Sequence, residues 1–503
     1  MKILGIETSC DETAAAVVKD GREILSNVVV SQIDIFAEYG GVIPEVAARS
    51  HLEAMMPVVN KALSDAGCSW DEIDAIAVTH APGLLGSLLI GTLTARTLAI
   101  LHDKPLYAVH HLKSHVYANW LGASKGKSEP IFSSSGLELG ANNGDKTIHA
   151  ESRAASLAPV ATGLARYSSP CQAPDSLDSG INCFDAPSFP LLALVISGGH
   201  TQILYMQKHN HFEIIGTTRD DAVGECFDKV AKILGLPYPG GPSIAKAAGS
   251  QLSNLGSRRS LPSVSKAASG VAACPSDTLQ AALAKSSRSV EHIATPDATK
   301  YKFPHPKVEG LDFSFSGLKT AVLRAVQKEL GLPISHPSYD LKNHLTEEQV
   351  ADFAASFQKT AVDILLEKLE MALDEHPEVK SVVFAGGVSA NEILRKRASE
   401  TILSGSGLEF SSTSYAGQPA EPSLRDEPVG DVRNIRVENS NRNTTPKEQS
   451  SDASSPKCFF PAPSLSGDNG AMVAAAAYFE ISSGVEPTDP YSLNIYPRIS
   501  VES

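Results

Sequence analysis

His111 and His115, in the stretch HHLKSH at residues 110–115, are spaced to bind one ion. On a helix, residues four apart share a face, so both imidazoles can reach the same point. The spacing equally suits two capping or surface histidines. A zinc-protease helix would read H-E-x-x-H with a glutamate as base, whereas Leu112 follows the first histidine here. Carboxylates stand elsewhere. Asp11 and Glu12, in ETSCDET, occupy a turn where they would position water or a cation, or simply make the turn. Asp468, in SLSGDNGAM, precedes an apolar helix, either reaching a cleft from the far end of the chain or acting as an N-cap.

Glycine-rich turns supply a second chemistry. SGGHTQ at 197–202 has two glycines for close backbone approach and hydroxyls beside them, which suits an anion such as phosphate or a plain hairpin turn. AGGVSAN at 385–391 ends an apolar run and opens a helix whose first N–H groups are unpaired donors, or is only a tight connection. In FDKVAKILGL, burial of Phe227, Val230, Ala231 and Leu234 leaves Asp228 to face a cleft. The PYPGGP turn that follows lets backbone approach a flat ligand such as adenine. Asp220, Asp221 and Glu225 gather ahead of this helix, where its dipole favours negative charge.

The elements that must position these residues alternate. KILGIETSCDETAAAVV and LLALVISGGHTQILYM are both strand, small polar turn, strand. Two related hairpins imply two related α/β lobes facing one cleft. IDAIAVTHAPG reads as strand then loop, SLLIGTLTARTLAILH as helix, and SVVFAGGVSANEILRKRASE as strand, turn, helix. Gly83, Gly86 and Gly91 in PGLLGSLLIGTLTAR point to tight helix packing. Three polar spans interrupt this core: 122–187, about 247–295 (where DTLQAALAKS suggests a short helix) and about 405–457. The expected division is a first lobe of 1–121 with 469–503, an insertion at 122–187, and a second lobe of 188–468 carrying the other two insertions.

Bulk composition narrows the function classes. A hydrophobic content of 42% with 20% charged residues is that of a soluble globular protein. A net charge of -14 argues against a chain that coats nucleic acid unaided, while allowing a local basic patch or a basic partner. Seven cysteines, an odd number without zinc-ribbon spacing, suit a reducing compartment. The chain enters a strand directly after Met1 and has no apolar run of membrane-crossing length, so a cytoplasmic protein without a membrane role is expected.

Taken in order, ETSCDET, PGLLGSLLIG, HHLKSH, SGGHTQ, DDAVGECFDKVAKILGLPYPGGP, FSFSGLKTA, AGGVSAN and SGDNGAM resemble the catalytic subunit of the tRNA adenosine threonylcarbamoyltransferase family, most closely its bacterial form. The family formerly carried a glycoprotein endopeptidase label. The resemblance implies an actin-like ATPase fold, and one divalent metal on His111, His115 and Asp468, usually iron(II), with zinc(II) the other candidate. Two imidazoles and a carboxylate suit either ion. By motif match, Ile196, Ser197, Gly198, Gly199, His200, Asp228, Gly241 and Asn391 would contact the nucleotide-like substrate. Ala245 stands where some members carry an aspartate, and Ser466-Gly467 replaces the usual Cys-Thr. The implied reaction moves a threonylcarbamoyl group from threonylcarbamoyl-adenylate to the N6 amine of adenosine 37 in tRNAs that read codons beginning with adenine. Asp11 or Glu12 would orient that amine or take its proton. The implied partners are tRNA, a non-catalytic paralogue subunit and a small ATPase. The competing readings are a metalloprotease, a non-catalytic scaffold of the same fold, and a small-molecule kinase.

Overall fold

Among the described residues, ten short strands make two five-stranded sheets, and most are apolar on both faces because helices cover both sides of each sheet. The computed structural model describes residues 1–122, 186–257, 299–404 and 455–502. The three polar spans named above fall largely outside them, as does the DTLQAALAKS segment.

The first sheet contains β1 (Lys2–Glu7), β2 (Glu12–Lys19), β3 (Glu23–Ser31), β4 (Ala75–Ala81) and β5 (Leu106–His110) in the order β3-β2-β1-β4-β5. The second contains β6 (Leu191–Ile196), β7 (Thr201–Met206), β8 (Phe212–Thr217), β9 (Ser381–Ala385) and β10 (Lys457–Phe459) in the order β10-β9-β6-β7-β8. Each sheet is an antiparallel meander of three strands followed by two parallel ones. The plan is therefore duplicated. β1 corresponds to β6, and the turn after β1 to the turn after β6. This is the two-lobed, actin-like α/β architecture expected from the paired hairpins.

Ten helices complete the described chain: α1 (Ile33–Ala37), α2 (Pro44–Asp65), α3 (Leu85–Leu101), α4 (His111–Tyr117), α5 (Val223–Leu234), α6 (Gly240–Ser257), α7 (Ser316–Glu329), α8 (Glu347–Glu375), α9 (Glu392–Ser404) and α10 (Gly470–Ser482). Among these none is long and apolar enough to cross a membrane. Strand periodicity sorts the core into three layers. Leu4 and Ile6 of β1 face α2 and α3, packing on Met55, Val58, Ala95 and Leu98. Ile3 faces the opposite way, toward the alanine run 474–477 of α10. Leu191, Ala193 and Val195 of β6 meet that same middle layer, while Leu192, Leu194 and Ile196 face Phe227, Phe353 and Phe357 of α5 and α8.

α10 and α4 thus lie between the two sheets, and their depth there is set by glycine. A methyl at Gly5 would stand 2.7 Å from the Ala474 nitrogen, and one at Gly470 would stand 2.6 Å from the Ala16 nitrogen. Both positions need bare backbone for the helix to seat on β1 and β2. That seat places Asp468, two residues before α10, beside the start of α4.

Candidate active site

α4 begins where β5 ends. Its N-cap is His110, whose Nδ1 accepts from the Leu112 amide at 3.2 Å. Burial holds the His110 pKa down to about 3, so the ring stays neutral and keeps the lone pair that the cap requires. One turn of helix then brings His111 and His115 together, with their Nε2 atoms 3.2 Å apart. Asp468 Oδ1 lies 3.1 Å from His115 Nε2 and 3.6 Å from His111 Nε2. All three donor atoms fall within 4.8 Å of one another.

On its other side, His111 Nδ1 faces Glu7 Oε2 at 3.3 Å and Ser9 Oγ at 3.2 Å. Glu7 is fully buried, and its carboxylate accepts from the Ser9 amide and the Thr79 hydroxyl, each at 2.5 Å. The ring is therefore held at Nδ1 and presents Nε2 to the cluster. Burial alone would lower the His111 pKa, but Asp468 and then Glu7 raise it to about 9. Burial likewise opposes charge on Asp468, yet the neighbouring histidines hold its pKa down to about 2. Two imidazole nitrogens and a carboxylate oxygen converging from separate elements form a donor set that fits a borderline divalent cation. Asn469, rather than Asp468, caps α10, its side-chain oxygen accepting from the Met472 amide at 3.0 Å. Asp468 remains available to the histidines.

The cluster opens onto a cleft of about 1790 Å³. Asp11 and Glu12 line it from the first hairpin, and Ser197, Gly198, Gly199 and His200 from the second. Burial, opposed by the hydrogen bonds of its neighbours, raises the Asp11 pKa; burial and then the Asp11 charge push Glu12 well up. Gly198 and Gly199 have nothing within 4 Å of where a Cβ would stand, which leaves room for a tightly seated group. Behind them, a methyl at Gly224 would lie 2.5 Å from the Ser197 carbonyl oxygen, so the first turn of α5 presses directly on this turn. Asp228, Gly241 and Asn391 also line the cleft. Burial raises the Asp228 pKa, while its Oδ1 accepts from the Gly240 amide at 2.7 Å. Asn391 donates to Gln358 Oε1 at 2.9 Å and accepts from the Leu394 amide at 3.1 Å, so it also caps α9. Ile196 differs from the rest: its side chain is fully buried in the core of the second lobe, because it falls on the helix-covered face of β6.

A family model described as tRNA N6-adenosine threonylcarbamoyltransferase matches residues 23–134, 177–275 and 264–420. A curated relative of that name from Symbiobacterium thermophilum is 35% identical over 500 residues, 99% of this chain and 96% of its own. Another, from Caldicellulosiruptor saccharolyticus, is 33% identical over 100% of this chain and 99% of its own. The chain belongs to the tRNA N6-adenosine threonylcarbamoyltransferase family. Among solved structures, one described as YeaZ from Pseudomonas aeruginosa is 26% identical over 23% of this chain and 46% of its own, with a TM-score of 0.17.

The fold also supplies supporting residues around the cleft that the motifs do not single out. Glu7 lies inside ETSCDET but was hidden there by the more polar Asp11 and Glu12. Gln358 sits 1% exposed within α8 and holds Asn391. Arg395 donates to the Ser389 and Pro461 carbonyl oxygens, each at 2.7 Å, and to Ser466 Oγ at 3.3 Å. It ties the Asn391 loop to the segment that carries Asp468. An arginine one helical turn after an Asn cap is the sequence signal for such a tie. Ala245 lines the cleft without adding a carboxylate. Leu112, at the position where a protease would carry its glutamate, is 2% exposed and part of the core.

The acidic group ahead of α5 turns out to be shared between helices. Asp221 pairs with Lys229 of α5 at 2.6 Å. Asp220 instead turns away, accepting from the Phe315 and Ser316 amides and the Ser314 and Ser316 hydroxyls. It caps α7, a helix almost a hundred residues further along the chain.

Proposed function

We propose that this chain transfers the threonylcarbamoyl group of threonylcarbamoyl-adenylate to the N6 amine of adenosine 37, next to the anticodon, in tRNAs reading codons that begin with adenine. The observation that carries this reading is the convergence of both hairpin turns, Asp228, Asn391 and the His111–His115–Asp468 cluster on one cleft. His111, His115 and Asp468 would hold one divalent metal, iron(II) first and zinc(II) second, which when bound supplies Lewis acidity toward the acyl donor. In the transfer a C–N bond forms at the carbamoyl carbon, the C–O bond to phosphate breaks, and AMP leaves. The Ser197–His200 turn would seat the phosphate, with backbone amides offsetting its charge.

Asp228 would bind the ribose, and the Asn391 loop with Gly241 would hold the adenosine part of the donor. Asp11 or Glu12 would take the amine proton, since burial makes each a stronger base than an exposed carboxylate. A neutral aromatic amine is a weak nucleophile, so positioning supplies much of the rate. An unpaired anticodon-loop base is accessible to such a cleft.

With a net charge of -14, the chain would share tRNA binding with a paralogue subunit and a small ATPase in the cytoplasm. The surface for the paralogue would be the outer face of α2 and α3. Leu52 and Met56 on α2, and Leu85, Leu89 and Leu93 on α3, form exposed apolar stripes at four-residue spacing. The lobe division proposed with it is 1–121 with 469–503 for the first lobe, an insertion at 122–187, and 188–468 for the second lobe, interrupted at about 247–295 and 405–457.

The test is reconstitution with threonine, bicarbonate, ATP, an adenylate synthase, the partner subunits and unmodified tRNA, followed by mass spectrometry of the nucleosides. Threonylcarbamoyladenosine should form with wild type and fail to form with His111→Ala. Equal product from both would overturn the site, and no product from wild type would overturn the reaction.

A further inference from the structure

We propose a second cation site, outside the cleft, formed by His336, Asp340 and His344. His336 Nε2 lies 3.1 Å and His344 Nε2 lies 3.2 Å from the same oxygen, Asp340 Oδ2. The three ligand atoms fall within 4.8 Å of one another. Two ligands held about 2.05 Å from a tetrahedral ion stand about 3.3 Å apart, close to the two nitrogen–oxygen separations found here. None of the three residues lines the large cleft, and the transfer reaction uses none of them.

The scaffold beneath them is fixed. Gln327 of α7 is 2% exposed and donates to the Ile334 and His336 carbonyl oxygens at 3.2 and 3.1 Å. Arg324 donates to the Ile334 carbonyl oxygen at 3.1 Å and to Gln327 Oε1 at 2.9 Å. Leu341, between the second and third ligands, is fully buried. Asn343 Nδ2 donates to Asp340 Oδ1 at 2.9 Å, which holds the carboxylate with Oδ2 toward the histidines. That is the kind of partner a metal-binding carboxylate needs.

The donor set selects the ion. Two imidazoles with one carboxylate favour zinc and its transition-metal neighbours over magnesium or calcium, which prefer oxygen ligands. The ligand side chains are 21%, 37% and 46% exposed for His336, Asp340 and His344, so water can complete the coordination. The role that follows is a clamp. Lys342 Cβ would lie 2.5 Å from a methyl at Gly235, so this segment sits on the C-terminal end of α5, the helix that carries Asp228. An ion joining positions 336 and 344 would close the loop against that helix end.

The site does not rest on the transferase reading, and zinc counting on the full chain tests it. With zinc chloride at equilibrium, wild type should bind two ions, and both His336→Gln/His344→Gln and His111→Gln/His115→Gln should bind one. The first double variant should also retain transfer activity. Retention of two zinc ions by His336→Gln/His344→Gln would overturn the site. So would a wild type whose single zinc survives in that variant. Should that variant not fold, Asp340→Asn keeps both imidazoles. It should weaken the second zinc at least tenfold while excess magnesium leaves that zinc in place, and unchanged zinc affinity would overturn the proposal.

Discussion

The turn after β1 and the turn after β6 occupy equivalent places in the two sheets and line the same cleft, yet their side chains differ in kind. Asp11 and Glu12 line it at the first, with Glu7 behind them at the end of β1, and Ser197, Gly198, Gly199 and His200 line it at the second. A duplicated hairpin offers the same backbone geometry twice, and side chains then divide the labour. Carboxylates at the first turn orient a histidine and suit a proton or a cation. Small residues at the second leave space and amides for an anion. Separating the acidic turn from the neutral one would keep carboxylates away from an anion seated at the second, which they would repel.

Breaking the acidic side at its centre should have the largest effect. His111→Ala or Asp468→Ala removes one of the three proposed ligands, which the remaining two would not replace. Losing several kcal/mol of charge stabilisation at about 1.36 kcal/mol per tenfold lowers the transfer rate roughly a thousandfold or more. Metal content and single-turnover transfer, measured together, check this. A variant that lost the metal and kept its rate would sever the His111–His115–Asp468 cluster from the chemistry.

The neutral turn can be displaced without touching the cluster. Gly224→Val drives side-chain carbon into the Ser197 carbonyl oxygen, which a methyl alone would approach to 2.5 Å. A shift of about 1 Å at a binding turn costs on the order of a hundredfold in kcat/KM. Zinc or iron content should stay at the wild-type level. If metal were lost as well, the two turns would not be separable as argued. Glu7→Gln is the milder counterpart on the acidic side. It keeps the shape of the side chain but removes the charge facing His111 Nδ1, and about ten- to a hundredfold lower metal affinity should follow. Competition with a chelator of known affinity reads it directly, and unchanged affinity would make Glu7 a purely structural residue.

What could be read from the sequence follows the range of the interactions involved. Both hairpins, the helix starting at His111 and the strand-to-helix turn before Asn391 are local patterns, and each is found where the residues indicated. Asp468 could be placed beside His111 only through the family resemblance. The contact depends on α10 lying between the sheets, which Gly5 and Gly470 allow but no local pattern announces. The direction of Ile196 was fixed by the period of β6, which sends it into the core with Leu192 and Leu194 rather than into the cleft. No local pattern shows the partners of Arg395 or Gln358, because Arg395 reaches Pro461 and Ser466 and Gln358 reaches Asn391, all far along the chain.

Asp220 shows the same limit at smaller scale and supplies the weakest expected effect. Its sequence position suggested the dipole of α5, but its carboxylate spans to α7, whose own N-cap position, Phe315, contributes no side-chain hydrogen bond. Asp220→Ala should lower stability by about 1 kcal/mol, the typical value of a lost cap, with transfer activity unchanged. The pH dependence distinguishes a cap from simple packing. Burial would raise the Asp220 pKa, but the Ser314 and Ser316 hydroxyls and the Phe315 and Ser316 amides outweigh it and hold the pKa below the ordinary aspartate value. A depressed folded-state pKa means that the stabilisation is complete above the unfolded value and fades as pH falls through the folded one. In urea unfolding, the gap between wild type and Asp220→Ala should therefore hold steady from neutral pH down to about pH 5 and narrow below about pH 4. A gap that stayed the same into acid would assign the loss to packing rather than to charge at the helix end.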